Sequence, residues 1–221
     1  MINNNRQLFK VLRITSAAYF FVVLLWIVLM PAAAYSGTPE EKLAALKVDI
    51  LPHILNFVNA SIIAFPFSVV MIALALLPAG SPKVRHILGV LFLAPYLALV
   101  TIAYSSQYTY LPLLLSSSSP AAVDWLFDNP LSAVYFFDQL GYLFLALAGF
   151  LIGFDYITSK GLKMLAGINI YLMSSFSVAA FILSAAAPET GGLASVISGG
   201  LTLPLAVILF LFANKSLNIK D

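Results

Sequence analysis

The chain carries at residues 136–156 the stretch FFDQLGYLFLALAGFLIGFDY, in which a long apolar run begins just after Asp138. A carboxylate drawn into hydrocarbon needs a partner or water, so Asp138 is a candidate functional residue. Gly141, Gly149 and Gly153 lie along one side of the run, and small residues at such spacing let a neighbouring helix approach closely. The stretch predicts a central, tightly packed membrane helix.

The composition of the whole chain places it in lipid. Of its 221 residues 62% are hydrophobic and 9% are charged, and the mean hydropathy is +1.00, whereas soluble domains are roughly half apolar and a quarter charged. The net charge of +2 and the lack of a basic run interleaved with aromatic residues exclude a nucleic-acid partner. The absence of cysteine excludes disulfides, iron–sulfur clusters and thiolate metal sites.

Six apolar segments are long enough to cross a hydrocarbon core about 30 Å thick. They lie at about residues 14–34, 55–77, 87–110, 132–154, 162–186 and 193–213. The prediction is an all-α integral membrane protein, a single domain over residues 1–221 built as a six-helix transmembrane bundle. The first segment has the basic start of a signal peptide, but its apolar run exceeds the usual 7–15 or so residues, so we expect an uncleaved anchor. Pro66 and Pro95 predict bends in the second and third spans.

Two short helices are predicted between the spans, both at the outer surface of the membrane. Thr38, Pro39 and Glu41 have the spacing of a capping box with proline at the first helical position. Ser119 followed by Pro120 marks the second helix start, in the longest link. The sequence therefore adds two interfacial helices to the six spans.

The distribution of basic residues predicts the orientation. All of the 11 lysines and arginines except Lys42 and Lys47 fall on the side of the termini, and cytoplasmic segments are the ones enriched in such residues. We therefore expect both termini in the cytoplasm and the protein in a plasma membrane, that of a bacterial cell. Three spans on each side of the longest link would also permit inverted repeats, but the halves share only an apolar texture and the repeat stays open.

Polar residues inside the spans predict the functional site, because hydrocarbon makes them costly. Eight of them cluster near the outer ends of spans two, three and four: His53, Asn56, Asn59, Tyr104, Gln107, Asp138, Gln139 and Tyr142. Their helical spacing lets each group face a common interior, which predicts a ligand-binding pocket. The alternative is that they form hydrogen bonds between helices, each worth on the order of 1 kcal/mol.

Motifs for catalysis, metals and nucleotides give little. His53 and His86 fall on opposite sides of the predicted membrane, so no two-histidine metal site is expected, and HExxH, P-loop and GxGxxG motifs are absent. A catalytic triad could draw on His53, on Asp138 or Asp49 as the acid, and on Ser105 or Ser106, but no GxSxG motif accompanies them. No cofactor and no metal are expected.

Three functions remain open from the sequence. The first is binding or transport of a small neutral or amphiphilic molecule through a polar pocket in the outer half of the membrane. The second is a non-catalytic accessory or assembly protein, which would act with a membrane-protein partner or as a homo-oligomer. The third is a membrane enzyme acting on lipid. We favour the first, since bent helices often line cavities.

Overall fold

The computed structural model describes residues 2–77 and 83–218, so parts of the predicted link at 79–86 and of the predicted tail at 214–221 lie outside the described part of the chain. Within the described ranges the chain forms α-helices and a 3₁₀ helix, with no β-strand. The α-helices are α1 (Ile2–Ala32), α2 (Pro39–Val48), α3 (Leu51–Leu76), α4 (Val84–Ser116), α5 (Ala133–Ile157), α6 (Leu162–Ala186), α7 (Pro188–Gly200) and α8 (Thr202–Asn218). The 3₁₀ helix, Pro120–Trp125, lies between α4 and α5. The predicted all-α fold is confirmed.

Six segments of the described chain are long and apolar enough to cross a membrane. Helices α1, α3, α4, α5 and α6 supply five of them, and α7 together with α8 supplies the sixth. The shortest has 25 residues, which at about 1.5 Å per residue exceeds a hydrocarbon core roughly 30 Å thick. Large apolar side chains remain exposed on the outside of these helices, among them Phe21, Phe65 and Leu91. The predicted number of apolar spans is confirmed, and their outer surface is compatible with lipid contact.

The sixth span differs from the prediction because it is two helices rather than one. The prediction was a single helix over 193–213, whereas the structure ends α7 at Gly200 and begins α8 at Thr202. Pro204 has no N–H to donate to the carbonyl of Gly200, and glycine is a weak helix former. In the first turn of α8 that missing N–H costs nothing, because the first N–H groups of a helix have no partner within it. The helix therefore breaks about halfway along the span.

The long helices form a ring in which each contacts its neighbours in sequence. The order around the ring is α1, α3, α4, α5 and α6, and α8 closes it by packing against α1. The core between them is fully buried and apolar, with Leu12, Met71, Ile152, Ile170 and Leu209 among its members. Since consecutive long helices run in opposite directions, α2 and the 3₁₀ helix lie at the same end of the ring, which we call the α2 end.

Helix α2 forms with the predicted cap and packs onto the protein. Thr38 accepts a hydrogen bond from the Glu41 N–H, and the Glu41 carboxylate accepts one from the Thr38 N–H, so the capping box is confirmed. Leu43 and Leu46 are buried in a second apolar cluster with residues of the 3₁₀ helix and of the end of α4. Helix α4 reaches this cluster because it extends beyond the predicted limits of 87–110.

Three glycines of α5 lie at its closest contacts with neighbouring helices. A methyl group added at Gly149 would overlap the Ser174 hydroxyl oxygen on α6, and one at Gly153 would come within 3.1 Å of Ile170 on the same helix. At Gly141 it would lie 2.9 Å from Val100 on α4. Gly149 and Gly153 thus face α6, whereas Gly141 faces α4.

Candidate functional site: a polar cavity at the α2 end

A cavity of about 440 Å³ lies inside the ring, within the range of small-molecule sites. It extends from Tyr35 and Pro130 at the α2 end to Thr202, just past the break in the sixth span. Helices α1, α3, α4, α5 and α7 all contribute to its wall. Five of the eight residues predicted for the site line it: Asn56, Tyr104, Asp138, Gln139 and Tyr142.

The polar part of the wall carries three buried oxygens with no hydrogen-bond partner among the described residues. They are Oδ1 of Asn56, Oδ1 of Asp138 and Oε1 of Gln139, on residues whose exposed fractions are 7%, 2% and 2%. An unpaired buried polar atom costs about 1–3 kcal/mol. Three such atoms around one cavity are therefore a costly arrangement, which hydrogen-bond donors of a ligand or of water inside the cavity would relieve.

The other atoms of the Asp138 and Gln139 side chains are held in place. The Gln139 side-chain amide donates to Asp138 Oδ2 at 3.2 Å and to the Ser195 hydroxyl of α7 at 3.4 Å. Ser132 caps the start of α5 by accepting from the Tyr135 N–H, which fixes where the helix begins. These contacts hold the Asp138 and Gln139 side chains, and with them their unpaired oxygens, in a fixed orientation.

Aromatic rings make up much of the remaining wall. The hydroxyls of Tyr104 on α4 and Tyr142 on α5 lie 3.1 Å apart and form a hydrogen bond across the two helices. The Phe57 ring lies 6.0 Å from that of Tyr104 and 4.9 Å from that of Phe127, centroid to centroid. The cavity thus combines a small polar patch with a large aromatic surface.

His53 and Gln107 do not line the cavity and are bonded to each other and to the backbone. Gln107 Nε2 donates to the Trp125 carbonyl at 2.9 Å, and Gln107 Oε1 accepts from the Phe127 N–H at 3.1 Å. His53 Nε2 lies 3.3 Å from Gln107 Oε1, and in the described part of the chain no serine or carboxylate is hydrogen-bonded to its ring. The pair holds the end of the 3₁₀ helix against α3 and α4.

Asn59 also lies outside the cavity. Its side-chain amide donates to the carbonyl of Val22 at 3.0 Å and so joins α3 to α1. This is the interhelical hydrogen bond that the alternative interpretation of the sequence described. Sequence spacing placed Asn56 and Asn59 together, but the structure turns one to the cavity and the other to a neighbouring helix.

The mouth of the cavity carries charge. Lys42 of α2 donates a hydrogen bond to the backbone carbonyl of Asp128 at 3.0 Å, and both residues line the cavity. Burial raises the pKa of the Asp128 carboxyl, against the opposing effect of the Lys42 charge. Burial also raises the pKa of Tyr35, with further contributions from the Asp49 and Asp128 charges.

Sequence reasoning missed the part of the wall that comes from α1, α7 and α8. Trp26, Ser195 and Thr202 line the cavity, but the prediction built the pocket from spans two, three and four. The only sequence signal was polarity within an apolar span, at Ser195 and Thr202. Which spans are neighbours is a property of the ring that spacing within one helix does not reveal.

A second polar cluster lies at the opposite end of the ring. The carboxylate of Asp155, near the end of α5, lies 3.4 Å from Lys83 Nζ and 2.8 Å from His86 Nε2, and it also pairs with Arg85. All three partners lie at or near the start of α4. His86 and His53 therefore lie at opposite ends. Within the described ranges no group of three histidine or acidic side chains is arranged to hold a metal ion.

The fold and the cavity define an all-helical protein with six segments long and apolar enough to cross a membrane. No family model, no curated protein and no solved structure matches the chain.

Proposed function

We propose that this is a multi-pass protein of a bacterial plasma membrane that binds or moves a small neutral or amphiphilic molecule through the cavity at the α2 end. The distribution of lysine and arginine supports an orientation with both termini in the cytoplasm, which makes the α2 end the outer one. Exposed Lys47 lies on the proposed outer side and exposed Lys160 on the cytoplasmic side.

The observation that carries the proposal is the set of unpaired oxygens on Asn56, Asp138 and Gln139. Most buried polar groups in proteins have a partner, and in a membrane span an unpaired carboxylate is costlier still. All three residues line one cavity, and most of its other lining residues are aromatic or apolar. Such a site suits a molecule with an apolar body and one polar group.

The accessory or assembly function keeps one observation in its favour. His53, Asn59 and Gln107 form hydrogen bonds within the protein, so part of the predicted site serves the fold. Single unpaired buried atoms also occur away from the cavity, at Ser16, His53, Asn169 and Ser174. Asn56, Asp138 and Gln139 differ because their three unpaired oxygens belong to residues that line one cavity.

Photolabelling tests the binding function. Protein in lipid nanodiscs is irradiated with dodecyl probes that carry a diazirine on the chain and either a hydroxyl or an amine head. We expect the probes to label cavity residues such as Trp26 and Thr202, and an excess of the same amphiphile without the diazirine should reduce this labelling. Labelling of the outward-facing Phe65 should not be reduced. If competition reduces labelling nowhere with either head, the binding function is wrong.

A pair of asparagines provides matched variants for this experiment. Asn56→Leu removes a cavity oxygen and should reduce competed labelling with little loss of stability, because that oxygen has no partner to lose. Asn59→Leu removes the bond to Val22 and should lower stability by about 1 kcal/mol while leaving labelling intact. The reverse pattern would favour the accessory function.

Single cysteines test the orientation, since the natural chain has none. Lys47→Cys should react with a membrane-impermeant maleimide on intact cells, whereas Lys160→Cys should react only after the cells are opened. Both positions are exposed. Reaction in the opposite order would place the cavity on the cytoplasmic side.

A further inference from the structure

Helices α1 and α7 line the cavity side by side without packing extensively against each other, and we call the space between them the α1–α7 opening. Among the described residues α7 packs along α6 and α8 along α1, while α1 and α7 make no extensive contact with each other. Both nevertheless line the cavity, α1 with Trp26 and Met30 and α7 with Val196 and Gly199. Val196 lines the cavity and is also 49% exposed, so it lies at the edge between the cavity and the outside of the ring.

This opening depends on the break in the sixth span. The sixth span is interrupted at Leu201, so its two helices can pack against different neighbours. Helix α8 packs against α1 and closes the ring, whereas α7 packs against α6. The rim is apolar, with Trp26 and Met30 on one side and Val196 on the other. An alkyl chain can pass such a rim without desolvating a polar group.

With Asp138 ionised, the unpaired atoms inside the cavity are all acceptors. An amide oxygen has no proton to give, and an ionised carboxylate accepts only. The acceptors of Asn56, Asp138 and Gln139 number three, and a protonated primary amine carries three N–H donors. A hydroxyl head would satisfy only one of them.

The charges and rings of the wall also favour a cation. Asp138 and Asp128 line the cavity together with a single lysine, Lys42, and Lys42 is bonded to a backbone carbonyl at the mouth. Aromatic faces attract cations, and the rings of Trp26, Phe57 and Tyr104 line the cavity. A buried ammonium is tolerated where a carboxylate pairs with it.

We propose that the ligand is an amphiphile with a primary amine head, which binds at Asn56, Asp138 and Gln139 while its apolar tail leaves through the α1–α7 opening into the bilayer. This proposal rests on the function proposed above and specifies its ligand. The tail stays in lipid while the head occupies the cavity, so the molecule reaches the site sideways from the leaflet at the α2 end.

The first test compares head groups on the otherwise unchanged protein. The Trp125→Phe variant keeps Trp26 as its only tryptophan, and Trp26 lines the cavity, so its fluorescence reports binding in phosphatidylcholine nanodiscs. Dodecylamine should bind about tenfold or more tighter than dodecanol, which has one O–H donor, and than dodecyltrimethylammonium, which has the charge but no donor. Asp138→Asn should remove most of that preference.

The second test concerns the route. A methyl group added at Gly199 would lie 3.5 Å from the Trp26 ring, whereas one at Gly200 would meet nothing within 4 Å. Gly199→Leu should therefore fill the opening and weaken dodecylamine binding about tenfold. It should have little effect on butylamine, whose short chain does not reach the opening. Gly200→Leu is the matched control and should change neither.

The outcomes separate the two proposals. Equal affinity for dodecanol and dodecylamine would overturn the amine head and leave the binding function standing. An equal effect of Gly199→Leu on dodecylamine and butylamine would overturn the sideways route. If no dodecyl compound binds at all, the proposed function itself fails. The head-group comparison uses a protein with the native Asp138, so it tests the amine head even if the Asp138→Asn variant does not fold.

Discussion

His86 Nε2 lies 2.8 Å from Asp155 Oδ2, and this contact joins the start of α4 to the end of α5. The Lys83 N–H donates to His86 Nδ1 at 3.4 Å, so Nδ1 is the acceptor and Nε2 carries the proton donated to Asp155. The histidine ring is 1% exposed. One carboxylate thus organises the residues that begin α4.

Loss of this carboxylate should destabilise the protein. Asp155→Asn removes the partner shared by Lys83, Arg85 and His86, and hydrogen bonds to charged groups contribute about 1.5–3 kcal/mol. Because Asp155 is partly exposed, we expect a loss near the lower end of that range, measured by thermal unfolding in mild detergent. Asp124→Asn, at an exposed position, is the control. Equal melting temperatures for the two variants would contradict the prediction.

Gly167 should not tolerate a larger side chain. A methyl group there would overlap backbone atoms of Tyr156 and Ile157, which, unlike a flexible side-chain end, have no rotamer to move into. Gly167→Ala should therefore cost about 1–3 kcal/mol by overpacking. Gly200→Ala, with open space around it, should be neutral or slightly stabilising. A neutral Gly167→Ala would mean that α5 and α6 do not approach as described.

Gln107 should be needed for the order of the 3₁₀ segment rather than for ligand binding. Gln107→Leu leaves the Trp125 carbonyl and the Phe127 N–H without partners, which should cost about 2–3 kcal/mol. Hydrogen exchange at the Phe127 amide should rise accordingly. Thr109→Val is the control on the same helix, since the Thr109 hydroxyl bonds only to the carbonyl of Ser105. Unchanged exchange at Phe127 would show that another contact holds the segment.

The pKa of Asp128 predicts a dependence of stability on pH. The native state binds its proton more tightly than the unfolded chain, because burial raises the pKa of the carboxyl above the ordinary 3.8. This group therefore lowers the free energy of unfolding as the pH rises from that value through the raised pKa. Asp128→Asn should remove this loss, so the melting temperature of the variant relative to that of the unchanged protein should rise as the pH is raised above about 4. A difference that stays constant with pH would contradict the assignment.

The predictions from sequence succeeded where the signal is local. The cap of α2 depends on Thr38 and Glu41, three residues apart, and both of its hydrogen bonds form. The six apolar spans follow from composition and length alone. The break at Leu201 had a local signal too, in Gly199, Gly200 and Pro204, but hydropathy averaged over the span conceals it.

The site was harder to predict because it depends on which helices are neighbours. Asn56 and Asn59 are three residues apart on α3, yet one lines the cavity and the other bonds to α1. No pattern within α3 distinguishes them, since the difference is set by the position of α1. Trp26 could not be predicted either, because in the sequence it is one apolar side chain within an apolar helix. Its place in the cavity wall depends on the position of α7.

The contact between α1 and α8 has a consequence for biosynthesis. The two helices that seal the ring lie far apart in the chain, so α1 leaves the ribosome long before its partner exists. At roughly 5–20 residues per second the delay is on the order of ten seconds or more. Throughout that interval the surface of α1 around Leu12 and Tyr19, which later becomes core, must be sheltered by lipid, by α3 or by an insertion chaperone.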